Sequence, residues 1–321
     1  MSAAQAVAPG GSAPRRTRGG GRWRHLAEYL GLRLALVLLA VLGERGATAL
    51  GTLLGRIAFD LLRIRRRVTL ENLRHAFPEW SEPERLSVAR LAYRHFGIVF
   101  LELARLSRYS PSEIRARIRI PDEAGLAAAL AHGRGAVLLT GHFGNWEMLG
   151  GALAALGHPI WVTVATQRNP WVDRYVTQTR EATGMHVLKV EDGGLAIARQ
   201  LRKNHLVAFV ADQDAGRRGV FVPLFGRPAS TALGPVRFAR MQRCPIISGF
   251  AVRQADGSYQ IELPPVRHVR EDLPPEEADR IALEELARDL ESAVRRHPEQ
   301  WFWMHRRWKT RPLAGGTAGE G

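Results

Sequence analysis

The sequence passes from a predicted strand into a predicted helix across Ala136-Val137-Leu138-Leu139-Thr140-Gly141-His142-Phe143-Gly144-Asn145-Trp146-Glu147. An apolar, β-rich run ends at Thr140, and the two glycines that flank His142-Phe143 permit a tight loop after it. Asn145 is a favourable N-cap, so a helix should begin directly after it. This arrangement places His142 at the carboxyl end of a strand, the edge at which open α/β sheets bind their ligands.

Strands and helices alternate from this stretch toward the carboxyl terminus. Predicted strands cover residues 136–140, 160–165, 186–190, 206–211, 221–225, 245–252 and 259–263, and predicted helices cover 145–156, 171–183, 195–203, 234–242 and 276–296. Such alternation is typical of an α/β fold, with a mostly parallel sheet flanked by helices. We assign this domain to residues 111–312.

The amino-terminal part has a different composition. Residues 1–24 form a basic tail rich in glycine, alanine and arginine that is predicted to be disordered, as is the tail at 313–321. Residues 25–110 are predicted to be helical and membrane-associated, because an apolar run at 34–42 follows several arginines. This run is shorter than the roughly 20 apolar residues of a spanning helix, so an interfacial helix and a marginal crossing both remain open. A cleaved signal peptide fits less well, because Gly43-Glu44-Arg45 is a poor cleavage site.

The chain of 321 residues carries a formal net charge of +15, which indicates an anionic partner: nucleic acid, an anionic lipid surface or a phosphorylated substrate. The charge is spread along the chain and accompanies an apolar segment, which favours the lipid alternatives over nucleic acid. A cluster at Arg63-Ile64-Arg65-Arg66-Arg67 follows an apolar helical pattern and is typical of a headgroup contact. The single cysteine, Cys244, excludes an intramolecular disulfide and a multi-cysteine metal site, and we expect it to be buried.

His142 and Glu147 are the candidate catalytic pair. The loop glycines would let His142 fold back toward Glu147, and a carboxylate there would fix the imidazole tautomer and raise its basicity. The other ring nitrogen could then remove a proton from a hydroxyl as that hydroxyl attacks a thioester. A structural alternative remains open, in which His142 caps the helix and Glu147 complements the helix dipole. A zinc hydrolase is disfavoured because His142 and Glu147 do not form a His-Glu-x-x-His motif, and we predict no metal.

Five blocks of the chain, in order, resemble the late acyltransferases of lipid A biosynthesis, within the glycerolipid and lysophospholipid acyltransferase superfamily. The blocks are Arg66-Arg67 with Asn72-Leu73-Arg74-His75-Ala76-Phe77-Pro78; Thr140 to Glu147; Ala211-Asp212-Gln213; Phe225-Gly226-Arg227-Pro228-Ala229 with Thr231, as a loop; and Pro298-Glu299-Gln300-Trp301 through His305 to Pro312. The similarity covers roughly residues 22–312.

The resemblance implies an O-acyltransferase that moves a fatty acyl chain from acyl carrier protein, or from acyl-CoA, to a hydroxyl of a phosphorylated lipid A precursor. It implies lipopolysaccharide biosynthesis at the cytoplasmic face of the bacterial inner membrane, with no cofactor beyond the acyl donor. On this reading His142 is the general base and Glu147 orients it. Arg168, Asp212 and Gln213 are candidate substrate-binding residues.

Alternatives stay open for these assignments. Arg168 would otherwise be a surface residue that opens a helix, and Asp212 a turn residue after a buried strand. Trp301, Trp303 and Trp308 suit either a core or a lipid interface, where aromatic rings and cations meet headgroups. A related acyltransferase that acts on a phosphatidylinositol mannoside is similar over the same blocks and is the alternative function.

Overall fold

The computed structural model describes residues 20–312. The helices are α1 (Gly20–Arg56), α2 (Arg66–Ala76), α3 (Glu82–Arg105), α4 (Pro111–Ala116), α5 (Glu123–Leu130), α6 (Trp146–Ala155), α7 (Pro170–Glu181), α8 (Gly193–Arg202), α9 (Gly234–Gln242) and α10 (Pro275–Arg296). The strands are β1 (Ile118–Arg119), β2 (Ala136–Thr140), β3 (Ile160–Val164), β4 (His186–Lys189), β5 (Leu206–Val210), β6 (Val220–Leu224), β7 (Arg227–Thr231), β8 (Ile246–Ser248), β9 (Phe250–Arg253) and β10 (Tyr259–Glu262). Residues 1–19 and 313–321 of the predicted tails lie outside the described residues. Residues 20–24 belong to α1, so the prediction of disorder is wrong for them.

A five-stranded sheet forms the centre of the molecule, in the order β4-β3-β5-β2-β8. Every pairing within it is parallel, which confirms the predicted α/β fold with helices around a mostly parallel sheet. Strand β2 lies between β5 and β8, and its residues Ala136, Val137 and Leu138 are buried. In the β2–β5 register Thr140 faces Val210, so the two strands end side by side.

The predicted strand 245–252 divides at Gly249 into two strands of different sheets. Strand β8 completes the parallel sheet, and β9 pairs with β10 in a three-stranded sheet of order β1-β10-β9. Gly249 donates its amide to the Leu139 carbonyl oxygen at 3.0 Å. A Cβ at this position would lie 3.3 Å from Leu138 and Leu149, so the chain changes sheets where a side chain would be crowded. The predicted loop at 225–231 is also corrected, since residues 227–231 form β7, paired antiparallel with β6.

The amino-terminal helices pack against the α/β domain. Helix α1 is kinked at Gly43, which has a φ of 64°. Beyond the kink it crosses α3 so closely that a Cβ on Gly51, Gly55 or Gly97 would overlap the backbone of the partner helix. Ser81 and Glu84 form a capping box at the start of α3.

No helix among residues 20–312 is long and apolar enough to cross a membrane.

One of the hydrophobic clusters joins the amino-terminal helices to the segment that follows α10. Phe59, Leu73 and Phe96 from the amino-terminal helices pack with Trp301 and Trp303, both of which are buried. Asn72 of α2 donates from its amide nitrogen to the carbonyl oxygens of Trp303, at 2.8 Å, and His305, at 2.7 Å. The first and last resembling blocks are therefore parts of one packed unit, and two of the three tryptophans are core residues.

Candidate active site

The carboxyl ends of β2 and β5 bring a histidine and an aspartate together. His142 and Asp212 each follow the paired residues Thr140 and Val210 by two positions. The Nδ1 atom of His142 lies 2.7 Å from Oδ1 of Asp212. The other carboxylate oxygen accepts the backbone amide of His142 at 2.9 Å and the indole Nε1–H of Trp301 at 2.8 Å. Because the carboxylate accepts from Nδ1, the second ring nitrogen, Nε2, is the one available as a base.

Burial and charge act in opposite directions on this pair. Burial disfavours the charged imidazolium, but the Asp212 carboxylate outweighs it and raises the pKa of His142 above its ordinary value. Burial likewise raises the pKa of the Asp212 carboxyl, but the His142 charge and the three donated hydrogen bonds lower it below its ordinary value overall. The His142 side chain keeps 25% of its surface exposed, whereas that of Asp212 keeps 4%. The pair therefore has a buried carboxylate and a base that can be reached from solvent.

The loop that carries His142 is fixed by its backbone. Gly144 donates its amide to the Gln300 carbonyl oxygen at 2.8 Å, and Phe302 donates its amide to the His142 carbonyl oxygen at 3.0 Å. Gly144 has a φ of 55°, and a Cβ there would overlap the carbonyl oxygen of Ala251. The carboxyl-terminal segment around Gln300–Phe302 thus sets the position of His142.

Glu147 has a different partner from the predicted one. It is 4% exposed and accepts from Arg180 of α7, with Nε donating to Oε2 at 2.9 Å and Nη2 to Oε1 at 2.5 Å. The Trp146 indole donates to the same carboxylate at 3.2 Å. This corrects the predicted pairing, in which Glu147 oriented the imidazole, because Asp212 occupies that place. Glu147 still lies close enough to His142 for its charge to raise the histidine pKa, together with the larger effect of Asp212.

Aromatic side chains form one wall beside the imidazole. The ring centroids of Trp146 and Phe302 lie 4.9 and 6.0 Å from that of His142. Phe302 in turn packs against Phe96 and Phe100 of α3, and Phe100 is 48% exposed. The imidazole of His142 is therefore next to apolar surface that reaches solvent.

The other predicted residues lie at the same edge of the sheet. Gln213 approaches the imidazole, with its Nε2 3.5 Å from Nδ1 of His142. Arg168 is exposed in the loop after β3, which is separated from β2 by β5. The structure therefore brings His142, Asp212 and Gln213 together and leaves Arg168 two strands away.

Sequence reasoning missed Arg180 and the role of Trp301 at the site. Trp301 belongs to a block that resembles the family, which could have drawn attention to it. Arg180 is separated from Glu147 by 33 residues and has no local feature that distinguishes it from other helix-surface arginines.

Comparison with known proteins shows the family of this chain. The sequence model described as bacterial lipid A biosynthesis acyltransferase matches residues 21–310. This chain belongs to that family. It is therefore an acyltransferase, and His142 lies within the matched residues.

Individual relatives show how far the similarity extends. The lipid A biosynthesis palmitoleoyltransferase of Escherichia coli (strain K12) is 28% identical over 267 residues, which are 82% of this chain and 85% of that protein. The lauroyltransferase of the same organism is 29% identical over the same shares of both chains. A phosphatidylinositol mannoside acyltransferase of Mycobacterium tuberculosis is 38% identical over 120 residues, only 36% of this chain and 37% of its own length.

Proposed function

We propose that this family member transfers a fatty acyl chain from acyl carrier protein to a hydroxyl of a lipid A precursor, with His142 as the general base. The observation that carries the proposal is the contact between Nδ1 of His142 and Asp212 at the carboxyl end of the sheet. This contact leaves Nε2 of His142 free, in a partly open site with an aromatic wall. Such a site suits a base that acts on a hydroxyl beside an acyl chain.

The chemistry follows from this arrangement. Nε2 of His142 takes the proton of the acceptor hydroxyl while its oxygen forms a bond to the thioester carbonyl carbon. The tetrahedral intermediate then breaks its carbon–sulfur bond, and the imidazolium returns the proton to the leaving thiolate. Asp212 holds the imidazole in the required tautomer and stabilises the imidazolium. No covalent acyl-enzyme is needed.

Glu147 acts through the helix that carries it rather than through the imidazole. Its pair with Arg180 joins the first turn of α6 to α7. Because both side chains are largely buried, this pair positions the loop and helix beside His142. Arg168 and Gln213 are the proposed substrate-binding groups, since a cation and an amide at the same sheet edge suit a phosphorylated acceptor and a polar thioester end.

The surface suits an anionic membrane, and we assign the protein to the cytoplasmic face of the bacterial inner membrane. Leu61, Leu62 and Ile64 are exposed, Leu61 to 74%, and they alternate with the exposed Arg63 and Arg65. Exposed leucines and valines also follow α1 on both sides of the kink. Apolar side chains mixed with arginines bind the boundary between headgroups and acyl chains.

An acyl-transfer assay on the full chain in detergent-solubilised membranes tests the proposal. The donors are acyl carrier protein and coenzyme A, each loaded with chains of several lengths, and the acceptor is a phosphorylated lipid A precursor. We expect a mass gain of one acyl chain and a loss of about two to four orders of magnitude in His142→Ala. His132→Ala removes an exposed histidine far from the site and serves as the control. An unimpaired His142→Ala variant would disprove the mechanism.

The local identity with phosphatidylinositol mannoside acyltransferases supports a second acceptor class. The same assay with a phosphatidylinositol mannoside separates the two. Transfer to that acceptor alone would keep the chemistry and replace the lipid A assignment.

A further inference from the structure

A second cleft lies on the opposite face of α3 from the catalytic histidine. Its volume is about 610 Å³, and its walls come from α1 beyond the kink, from α3 and from the turn between β9 and β10. Arg94, Ile98, Glu102 and Arg105 line it at the spacing of one helix face. Phe96 and Phe100 point about half a turn away, toward Phe302 and the active site, so this cleft is separate from the catalytic one.

Arginines dominate the lining of this cleft. They are Arg45, Arg94, Arg105, Arg117 and Arg253, and the acidic residues beside them are Glu44, Glu102 and Asp256. We call this the arginine cleft. Two of its cations are neutralised, since Arg117 pairs with Glu44 and Arg253 pairs with Glu102 at 3.0 Å.

Three guanidinium groups in the arginine cleft have no carboxylate within ion-pair distance among residues 20–312: Arg45, Arg94 and Arg105. Arg105 donates from Nη1 to the carbonyl oxygens of Leu39 and Gly43, at 2.8 Å each, and its charge helps to lower the pKa of Glu44 without forming an ion pair with it. Its Nε is buried and has no hydrogen-bond partner within the described structure. Such a group costs free energy unless a ligand or water accepts from it.

We propose that the arginine cleft is a binding site for a phosphate group. Guanidinium groups form paired, charge-assisted hydrogen bonds with phosphate oxygens, and the hydroxyls of Thr48 and Thr52 in the lining suit the sugar or glycerol part of a headgroup. The phosphate can belong to a lipid headgroup or be free in solution. The site lies beside α1, whose exposed apolar side chains suit a lipid interface, so a headgroup can enter from that side.

The arginine cleft contacts the catalytic loop through one carboxylate. The Glu102 carboxylate accepts from Arg253 at 3.0 Å, from the side-chain Nδ2 of Asn145 at 3.1 Å and from the hydroxyl of Tyr259. Asn145 caps α6 by accepting the Met148 amide at 3.1 Å. A phosphate in the cleft would therefore sit next to the group that holds the start of the active-site helix.

Calorimetric titration of the full chain in nonionic detergent tests the proposal. The first probe is inorganic phosphate, and its reference is chloride at equal ionic strength. The second probe is mixed micelles that contain phosphatidic acid, and its reference is the same micelles with diacylglycerol, which has no phosphate. The double variant Arg45→Gln/Arg94→Gln removes two exposed cations that make no ion pair in the described structure, so we expect it to fold. It should bind at least about tenfold more weakly.

The control Arg199→Gln/Arg237→Gln removes the same charge from exposed positions on α8 and α9 and should bind as the wild type does. Binding of inorganic phosphate would support a site for free phosphate, and binding of phosphatidic acid micelles alone would support a lipid headgroup. Binding of neither probe, or equal binding by the double variant, would overturn the proposal. His142→Ala should bind normally, so this result is independent of whether acyl transfer is confirmed.

Discussion

The imidazole of His142 is held by a carboxylate from the neighbouring strand rather than by one from its own helix. This matters for the pH dependence of the reaction, because Asp212 is the largest influence that raises the pKa of His142 against the opposing effect of burial. In the proposed mechanism only the neutral form of His142 accepts the proton of the acceptor hydroxyl. Activity should therefore rise with pH through a histidine pKa above the ordinary value of about 6.5.

Asp212→Asn should lower kcat by about two to four orders of magnitude, because the amide can no longer stabilise the imidazolium. The acidic limb of the kcat/KM profile should also move to lower pH, since the charge that raises the His142 pKa is gone. The measurement is the pH profile of acyl transfer, with the exposed Asp272→Asn as control. An acidic limb that stays in place would show that Asp212 does not act on the titrating group.

Glu147→Gln should destabilise the protein by about 2–4 kcal/mol, because it leaves the largely buried Arg180 without its carboxylate. Glu71→Gln, which breaks an exposed pair with Arg67, should change stability little. Urea unfolding of the two variants measures the difference. A Glu147→Gln variant that is as stable as the wild type but inactive would instead support a direct catalytic role for Glu147.

At the scale of elements, the loop between β2 and α6 depends on close backbone approach. Gly144 has a positive φ, and a Cβ there would overlap the Ala251 carbonyl oxygen of β9. Gly133 also has a positive φ, of 70°, but a Cβ there would have no neighbour within 4 Å. Alanine substitutions at the two glycines therefore separate the free-energy cost of the left-handed backbone from that of the steric overlap with Ala251.

Gly133→Ala should cost about 1 kcal/mol of unfolding free energy, from the left-handed backbone alone. Gly144→Ala should cost several times more, about 3–5 kcal/mol, and should also reduce activity because the loop that carries His142 must shift. Thermal unfolding and the acyl-transfer assay check both statements. Equal stability losses in the two variants would contradict the role assigned to the Gly144–Ala251 approach.

At the scale of the whole molecule, the net charge of +15 combines with exposed apolar side chains on the amino-terminal helices. Binding to vesicles should therefore require anionic lipid and weaken with salt. Replacing Arg63, Arg65 and Arg67 by glutamine should weaken binding by about 100-fold, at about 1 kcal/mol for each arginine near the surface. Vesicle sedimentation measures this.

The matched control for that experiment replaces Arg199, Arg237 and Arg288, three exposed arginines elsewhere on the molecule. If both triple variants bind equally well, the interaction depends on total charge rather than on the segment from Leu61 to Arg67.

The local sequence determined the parts of this protein that depend on short-range periodicity and capping. The predicted elements from 136 to 211 match β2 to β5 with shifts of a few residues at their ends, because strand and helix patterns are set by neighbouring residues. Cys244 is buried as expected, and burial raises the pKa of its thiol to about 11. His142 at a strand end followed from the same local reasoning.

Only the tertiary structure decided which charged groups meet. Asp212 reaches His142 because β5 lies beside β2, and strand order is set by packing between residues some 70 positions apart. Glu147 was assigned to His142 because it is near in sequence, but the fold places Arg180 of α7 beside it. The break at Gly249 and the burial of Trp301 and Trp303 depend on distant partners in the same way. Local patterns report which elements form and which residues end them, whereas the pairing of buried charges depends on how those elements pack.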